Sequence, residues 1–108
     1  MTVYKILLPA EWAAFEQAGS FAGSPLDLGD GYVHLSTAQQ VHRTATRYFA
    51  GVPELVVLSV ADEPLGAALK WETNEHGTFP HLYAPLPMAV VTKVRRVTDV
   101  AELERLTD

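Results

Sequence analysis

Asp30-Gly31-Tyr32-Val33-His34-Leu35-Ser36-Thr37 is the stretch around which the rest of this chain is arranged. The Asp-Gly pair predicts a turn, and the alternating run that follows it predicts a short strand. Thr37 and Gln40 fit a capping box, which predicts that a helix begins there. His34 and Ser36 are therefore expected where a strand meets a helix N-terminus, a place that favours phosphate or carboxylate binding.

The composition indicates one globular domain spanning residues 1–108. Of its 108 residues, 48% are hydrophobic and 19% are charged, which is typical of a folded domain. The absence of cysteine excludes disulfides and thiolate metal sites and fits a reducing cytoplasm. A net charge of −5 argues against general nucleic-acid binding. No apolar run approaches the roughly 20 residues of a membrane span, and the N-terminus does not look like a signal peptide.

The remaining pattern predicts an α+β fold with about five strands and two long helices in the first half. The apolar run 55–60 predicts a central strand covered on both faces. Residues 79–87 contain three prolines and are expected to run extended across the core. The other predicted elements are strands over 2–8, 32–35, 69–72 and 88–97, helices over 10–18 and 37–50, a loop over 20–30, and a short terminal helix over 99–106 capped by Asp99.

Three side chains are candidates for chemistry, and each has a simpler structural explanation. His34 either faces a ligand or is a core histidine bonded to the backbone, and Ser36 on the same strand face supports the first. Glu72 either forms an exposed ion pair with Lys70 or stabilises an oxocarbenium-like centre. His81 follows a proline that fixes its position, which suits a binding site and a structural hydrogen bond equally.

Known signatures of metal and nucleotide sites are missing from the sequence. The four histidines have no metal-binding spacing, so no metal is expected. There is no GxGxxG, Walker or GxSxG motif, so any nucleotide site must be of another type.

Several of these pieces together resemble the bacterial and plant family known as domain of unknown function 952 (DUF952). The resemblance covers nearly the whole chain and is most specific in the Gly-Tyr-Val-His-Leu-Ser and Phe-Pro-His-Leu-Tyr pieces. The matching pieces are Tyr4-Lys5-Ile6 with Trp12, residues 30–37 with Gln40, the apolar strand 55–60, Lys70-Trp71-Glu72, and residues 79–86.

That family in turn looks like a compact relative of the ADP-ribosyltransferase fold, close to the RNA 2′-phosphotransferases. This resemblance implies a split sheet whose cleft holds NAD or ADP-ribose, with His34 and Ser36 as cleft residues and Glu72 as the acid. Lys5 aligns with a first-strand position that is usually His or Arg in such folds. Lysine can hold a phosphate but cannot reproduce an imidazole or a guanidinium fork.

Two functional hypotheses follow from the resemblance. The first is a transferase or hydrolase acting on an ADP-ribose-like small molecule, with Lys5 at phosphate and with His34, Ser36 and Glu72 at the ribose. It requires these side chains to converge on one pocket, with an aromatic ring stacked on the ligand from Trp71, Phe79 or Tyr83.

The second hypothesis is a non-catalytic binding module that keeps the cleft without the chemistry. It expects a pocket lined by His34, Ser36, His81 and Tyr83, with Glu72 turned to solvent or tied to Lys70. A third possibility is that residues 79–83 serve packing alone and the cleft is closed.

Overall fold

A computed structural model describes residues 1–106 of the chain. Its first sheet has three antiparallel strands, β1 (Thr2–Leu7), β4 (Leu55–Ala61) and β8 (Val91–Val97), in the order β1-β4-β8. Residues 55–60 of the central strand β4 are all buried, as expected for a strand covered on both faces. The prediction of a central strand here is confirmed.

The second sheet also has three antiparallel strands, β3 (Val33–His34), β5 (Leu69–Asn74) and β6 (Gly77–Leu82), in the order β3-β6-β5. It meets the first sheet at one bridge, where Tyr4 and Ser36 exchange backbone hydrogen bonds of 2.8 and 2.9 Å. The stretch quoted above therefore joins the two sheets and places His34 beside β1. A third, two-stranded sheet pairs β2 (Ser20–Phe21) with β7 (Leu86–Pro87).

The first helix, α1 (Pro9–Ala18), begins and ends where its sequence signals indicate. Proline is its first residue, and Gly19 closes it in the left-handed conformation with φ 78°. Trp12 and Phe15, three residues apart on one face of this helix, are buried.

The second helix, α2 (Pro25–Asp30), lies where a loop was predicted, and that prediction is wrong. Ser24 and Asp27 form a capping box, in which each side chain accepts a hydrogen bond from the backbone N–H of the other, at 3.2 and 2.9 Å. Gly31 ends the helix at φ 89°. Pro25 and Gly31 thus mark the two ends of a short helix.

The third helix, α3 (Val41–Tyr48), is shorter than predicted and begins four residues later. The Thr37 N–H donates to Oε1 of Gln40 at 3.0 Å, but residues 38–40 form a turn and not a helix. His34 therefore does not lie directly before a helix N-terminus. The expectation that His34 and Ser36 adjoin a helix N-terminus is wrong, and anion binding at them stays a prediction.

The C-terminal part differs from the prediction in detail. Residues 88–90 form a 3₁₀ turn, so β8 begins three residues later than predicted. The terminal helix is a 3₁₀ helix over Val100–Arg105, and Asp99 caps it by accepting from the N–H of Ala101 at 3.0 Å. Residues 63–68 form another 3₁₀ segment.

Two apolar clusters cover the two faces of the first sheet. One packs Val3, Leu7, Val56 and Leu58 against α1 and the second sheet. The other packs Tyr4, Ile6 and Val57 against α3 and the terminal 3₁₀ helix. The fold is thus α+β with antiparallel sheets, and within residues 1–106 no helix is long and apolar enough to cross a bilayer.

Candidate functional site

A pocket of about 320 Å³ opens between β1, α2, α3 and strand β6. Apolar side chains form most of its wall, as is usual for small-molecule sites: Ile6, Leu8, Leu26, Tyr48, Phe49 and Phe79. Its polar lining includes Lys5, His34, Ser36, Arg43, Arg47 and His81. The cleft is therefore open, which is not what the packing-only hypothesis expects.

Asp27 connects the polar groups at one side of this pocket. It is 1% exposed, and its two carboxylate oxygens take part in four hydrogen bonds. Oδ2 accepts from Lys5 Nζ and from the Ser24 N–H, both at 2.9 Å. Oδ1 accepts from the His34 N–H at 3.1 Å and lies 2.6 Å from His34 Nδ1. Burial acts to raise the pKa of Asp27, but His34, Lys5 and Ser24 together hold that pKa well below its usual range.

Lys5 reaches the same cluster from β1. Its side chain is 6% exposed, and its ammonium donates to Asp27 at 2.9 Å and to the His34 carbonyl at 3.0 Å. Burial lowers the pKa of Lys5, and the Asp27 carboxylate opposes that shift. Two of its three N–H donors are thus used within the protein. Contact between Lys5 and a ligand phosphate stays a prediction.

His34 lies between two carboxylates. Its Nδ1 faces Asp27 at 2.6 Å, and its Nε2 faces Asp30 Oδ2 at 3.0 Å. An imidazolium, which has a proton on each nitrogen, satisfies both contacts at once. The side chain is 29% exposed and lines the pocket, so it is not a core histidine bonded only to backbone.

His81 is the register partner of His34 on the adjacent strand β6. It is 6% exposed, and its Nδ1 lies 2.7 Å from Glu72 Oε1. The Tyr83 hydroxyl donates to the same oxygen at 2.7 Å. The bond from Tyr83, and then that from His81, lower the pKa of Glu72, while Glu72 raises the pKa of Tyr83 to about 12.

The ring of Tyr32 brings the two histidines into one cluster. It stacks on His81 with ring centroids 4.0 Å apart and lies 4.6 Å from the ring of His34. The two histidine rings are 5.7 Å apart. Burial, followed by the charges of Asp30 and Glu72, raises the pKa of Tyr32.

The structure gathers some predicted site residues at the pocket and separates others from it. Lys5, His34, Ser36 and His81 line the pocket, and Phe79 does so among the predicted stacking rings. Glu72, Trp71 and Tyr83 do not line it. Trp71 is 44% exposed and pairs with Pro80, which places it on the opposite face of the sheet from His81.

Sequence reasoning gave no role to Asp27, Asp30, Tyr32, Arg43 or Arg47. The capping-box spacing of Ser24 and Asp27 was the available signal for the first of these. The arginines were placed only outside the apolar stripe of α3, whereas the structure puts them at the pocket, with Arg43 Nη2 donating to the His76 carbonyl at 3.0 Å. Within residues 1–106, no three metal-ligating side chains come close enough together to hold an ion.

Comparison with known proteins gives one family and one similar fold. Residues 6–94 match the family described as "Protein of unknown function (DUF952)". The crystal structure of protein CC0527 from Caulobacter crescentus is 42% identical, with a TM-score of 0.89, and the match covers 98% of this chain and 100% of that one. The solution NMR structure of CC0527 is 48% identical, with a TM-score of 0.75, over 90% of this chain and 83% of that one. Among curated proteins, no sequence matches this chain.

Proposed function

The chain belongs to the DUF952 family, and we propose that its pocket binds a nucleotide of the ADP-ribose or NAD type. The observation that carries this proposal is the presence of Arg43 and Arg47 at a mostly apolar pocket. The charge of Lys5 does not add to theirs, because its ammonium is paired with Asp27 in the same lining. Two guanidinium groups at one cleft of a protein whose net charge is −5 favour an anionic ligand, and the apolar wall favours an aromatic ring.

The lining residues divide into groups that suit the parts of such a ligand. Arg43 and Arg47 are one helical turn apart on α3, so both reach the same side of the pocket. Their guanidinium groups suit a pyrophosphate because they can bind its oxygens in pairs. Phe79, Ser36 and His34 line the same pocket, and we assign Phe79 to stacking on a base and the two polar residues to the ribose.

Kinship with the ADP-ribosyltransferase and RNA 2′-phosphotransferase fold is part of this proposal. Its support is a sheet divided into two three-stranded halves, with His34 in the cleft where the halves meet beside β1. Kinship of fold does not bring activity with it. The proposal therefore rests on the pocket and its charges. The absence of cysteine supports the cytoplasmic location that we also propose.

The enzymatic form of the proposal is a transferase or hydrolase, in which Glu72 was expected to face the ribose. Glu72 instead bonds to His81 and Tyr83 and does not line the pocket. This observation favours a second candidate, a binding module without chemistry. A catalytic role for Glu72 would have to act through His81.

The test is a thermal-shift and calorimetry panel with NAD, ADP-ribose, AMP and a 2′-phosphorylated oligonucleotide. A ligand at about 100 times its Kd should stabilise the protein by about 2.7 kcal/mol, raising Tm by roughly 10 °C or more. His34→Ala and Arg47→Gln should reduce the shift. The matched control Arg105→Gln, an exposed residue away from this pocket, should leave it unchanged. No shift with any of the four compounds would overturn the nucleotide proposal.

A further inference from the structure

His81 has one ring nitrogen bonded and one without a protein partner. Nδ1 contacts Glu72 at 2.7 Å, whereas no atom of residues 1–106 forms a hydrogen bond with Nε2. The side chain is only 7% exposed. Every fully buried side-chain nitrogen or oxygen in residues 1–106 has a hydrogen-bond partner. Because Nε2 has none, it is not fully buried and keeps some access to solvent. His81 lines the pocket and Glu72, which bonds to Nδ1, does not, so Nε2 is the ring nitrogen that remains for a ligand there.

The partner of Nδ1 decides which nitrogen of His81 has the lone pair. Glu72 accepts hydrogen bonds from Tyr83 and His81, which lower its pKa, so it is an ionised carboxylate at neutral pH. An ionised carboxylate accepts a hydrogen bond from Nδ1–H, and in the neutral ring this leaves the lone pair on Nε2. General-base histidines commonly have this arrangement, with a carboxylate bonded to Nδ1–H and the lone pair on Nε2. His34 differs, because carboxylates face both of its nitrogens.

We propose that His81 Nε2 is the general base of a hydrolytic reaction in this pocket and that Glu72 is a positioning residue for it. The inference rests on the proposed function, because it takes an NAD-type ligand as substrate. The nicotinamide of an NAD-type ligand leaves as a neutral molecule without taking up a proton, so the step needs a base and no general acid.

The step balances with NAD and water alone. A water molecule gives one proton to His81 Nε2, and its oxygen forms a bond to C1′ of the ribose. The C1′–N bond breaks, and its electron pair returns to the pyridine nitrogen. Nicotinamide leaves as a neutral molecule, ADP-ribose remains, and His81 releases its proton to solvent.

The experiment measures release of nicotinamide from NAD by chromatography, with binding of ADP-ribose measured in parallel by calorimetry. His81→Ala should lower kcat by about 10²–10⁴-fold with KM nearly unchanged, and added imidazole should restore part of the rate. Glu72→Gln should lower kcat by roughly tenfold or more, because the tautomer of His81 is no longer fixed. The matched control His42→Ala, whose ring pairs with Glu104 away from the pocket, should keep the wild-type rate.

Two results would overturn this inference without touching the proposed function. One is binding of ADP-ribose without release of nicotinamide by the wild type. The other is undiminished turnover in His81→Ala. Failure of all four compounds of the panel to bind would overturn both proposals.

A ligand-free measurement keeps the test valid if a variant does not fold. Nitrogen NMR of wild-type His81 at mildly alkaline pH should show a proton on Nδ1 and none on Nε2. The opposite tautomer would contradict the inference.

Discussion

Asp27→Asn should destabilise this protein more than any exposed substitution of the same type. The change keeps the size of the side chain but removes its charge and one of its two acceptor oxygens. Lys5, whose side chain is 6% exposed, then loses the carboxylate that compensates its charge. Leaving one charge of a buried pair uncompensated costs about 3–5 kcal/mol. For a domain of this size, that free energy corresponds to a loss in Tm of roughly 12 °C or more.

Lys5→Met should cost less than Asp27→Asn, because the Asp27 carboxylate still accepts from His34 and from the Ser24 N–H. We expect about 1–3 kcal/mol for this single change. The double variant should be more stable than the sum of the two costs predicts, by about 1–3 kcal/mol, because it leaves no unpaired ammonium.

The assay is urea unfolding followed by fluorescence of the buried Trp12, analysed as a double-mutant cycle. The matched control is Asp62→Asn, whose partner is the exposed N-terminal ammonium. An exposed pair of this kind should cost about 0–1 kcal/mol. An Asp27→Asn cost below about 1 kcal/mol, or additive costs in the cycle, would refute this reasoning about the buried pair.

Three further predictions follow from the same contacts. Ultraviolet titration should show Tyr83 ionising near its pKa of about 12, with a return toward the ordinary tyrosine range in Glu72→Gln. Because folding raises the pKa of Tyr83, its hydrogen bond to Glu72 stabilises the fold below about pH 10, and this stabilisation is lost as pH rises through 12. A wild-type Tyr83 that titrates in the ordinary tyrosine range would contradict this prediction. Because the pKa of Asp27 is lower in the folded state, its carboxylate contributes to stability above about pH 4, and this contribution is lost as pH falls further. The free energy of unfolding, measured with urea at several pH values, should show this loss in the wild type and not in Asp27→Asn. Gly31, at φ 89°, ends α2 in the left-handed conformation, so Gly31→Ala should lower the stability measured by thermal unfolding by about 1–2 kcal/mol. Gly29→Ala, inside α2, should leave the stability unchanged or raise it. Equal effects of the two changes would contradict the left-handed helix end.

The parts of the fold that local signals specify were predictable from the sequence. The strand β4 is an uninterrupted apolar run, and α1 has proline at its start and glycine after its end. By contrast, α2 was taken for a loop because its proline and glycines were interpreted as breakers, although Ser24 and Asp27 have the spacing of a capping box. The start of α3 was misplaced because the pair Thr37 and Gln40 forms its hydrogen bond in a turn before the helix.

Only some members of the candidate site, and few of their contacts, were predictable from the sequence. Strand alternation put His34 and Ser36 on one face, and both line the pocket together with His81. It also placed Lys70 and Glu72 on one face, but Glu72 bonds across the strands to His81 rather than to Lys70. Asp27 was missed because its contacts with Lys5 and His34 join segments that only the folded chain brings together.

Binding of a nucleotide at the histidine pocket is the central claim, and NMR of the side chains tests it most directly. Imidazole resonances of His34, His81 and His42 would be recorded while ADP-ribose is added to the wild-type protein. The claim predicts that the His34 and His81 signals move together and saturate, while His42, outside the pocket, stays in place. Signals of His34 and His81 that remain unchanged at millimolar ADP-ribose would contradict it.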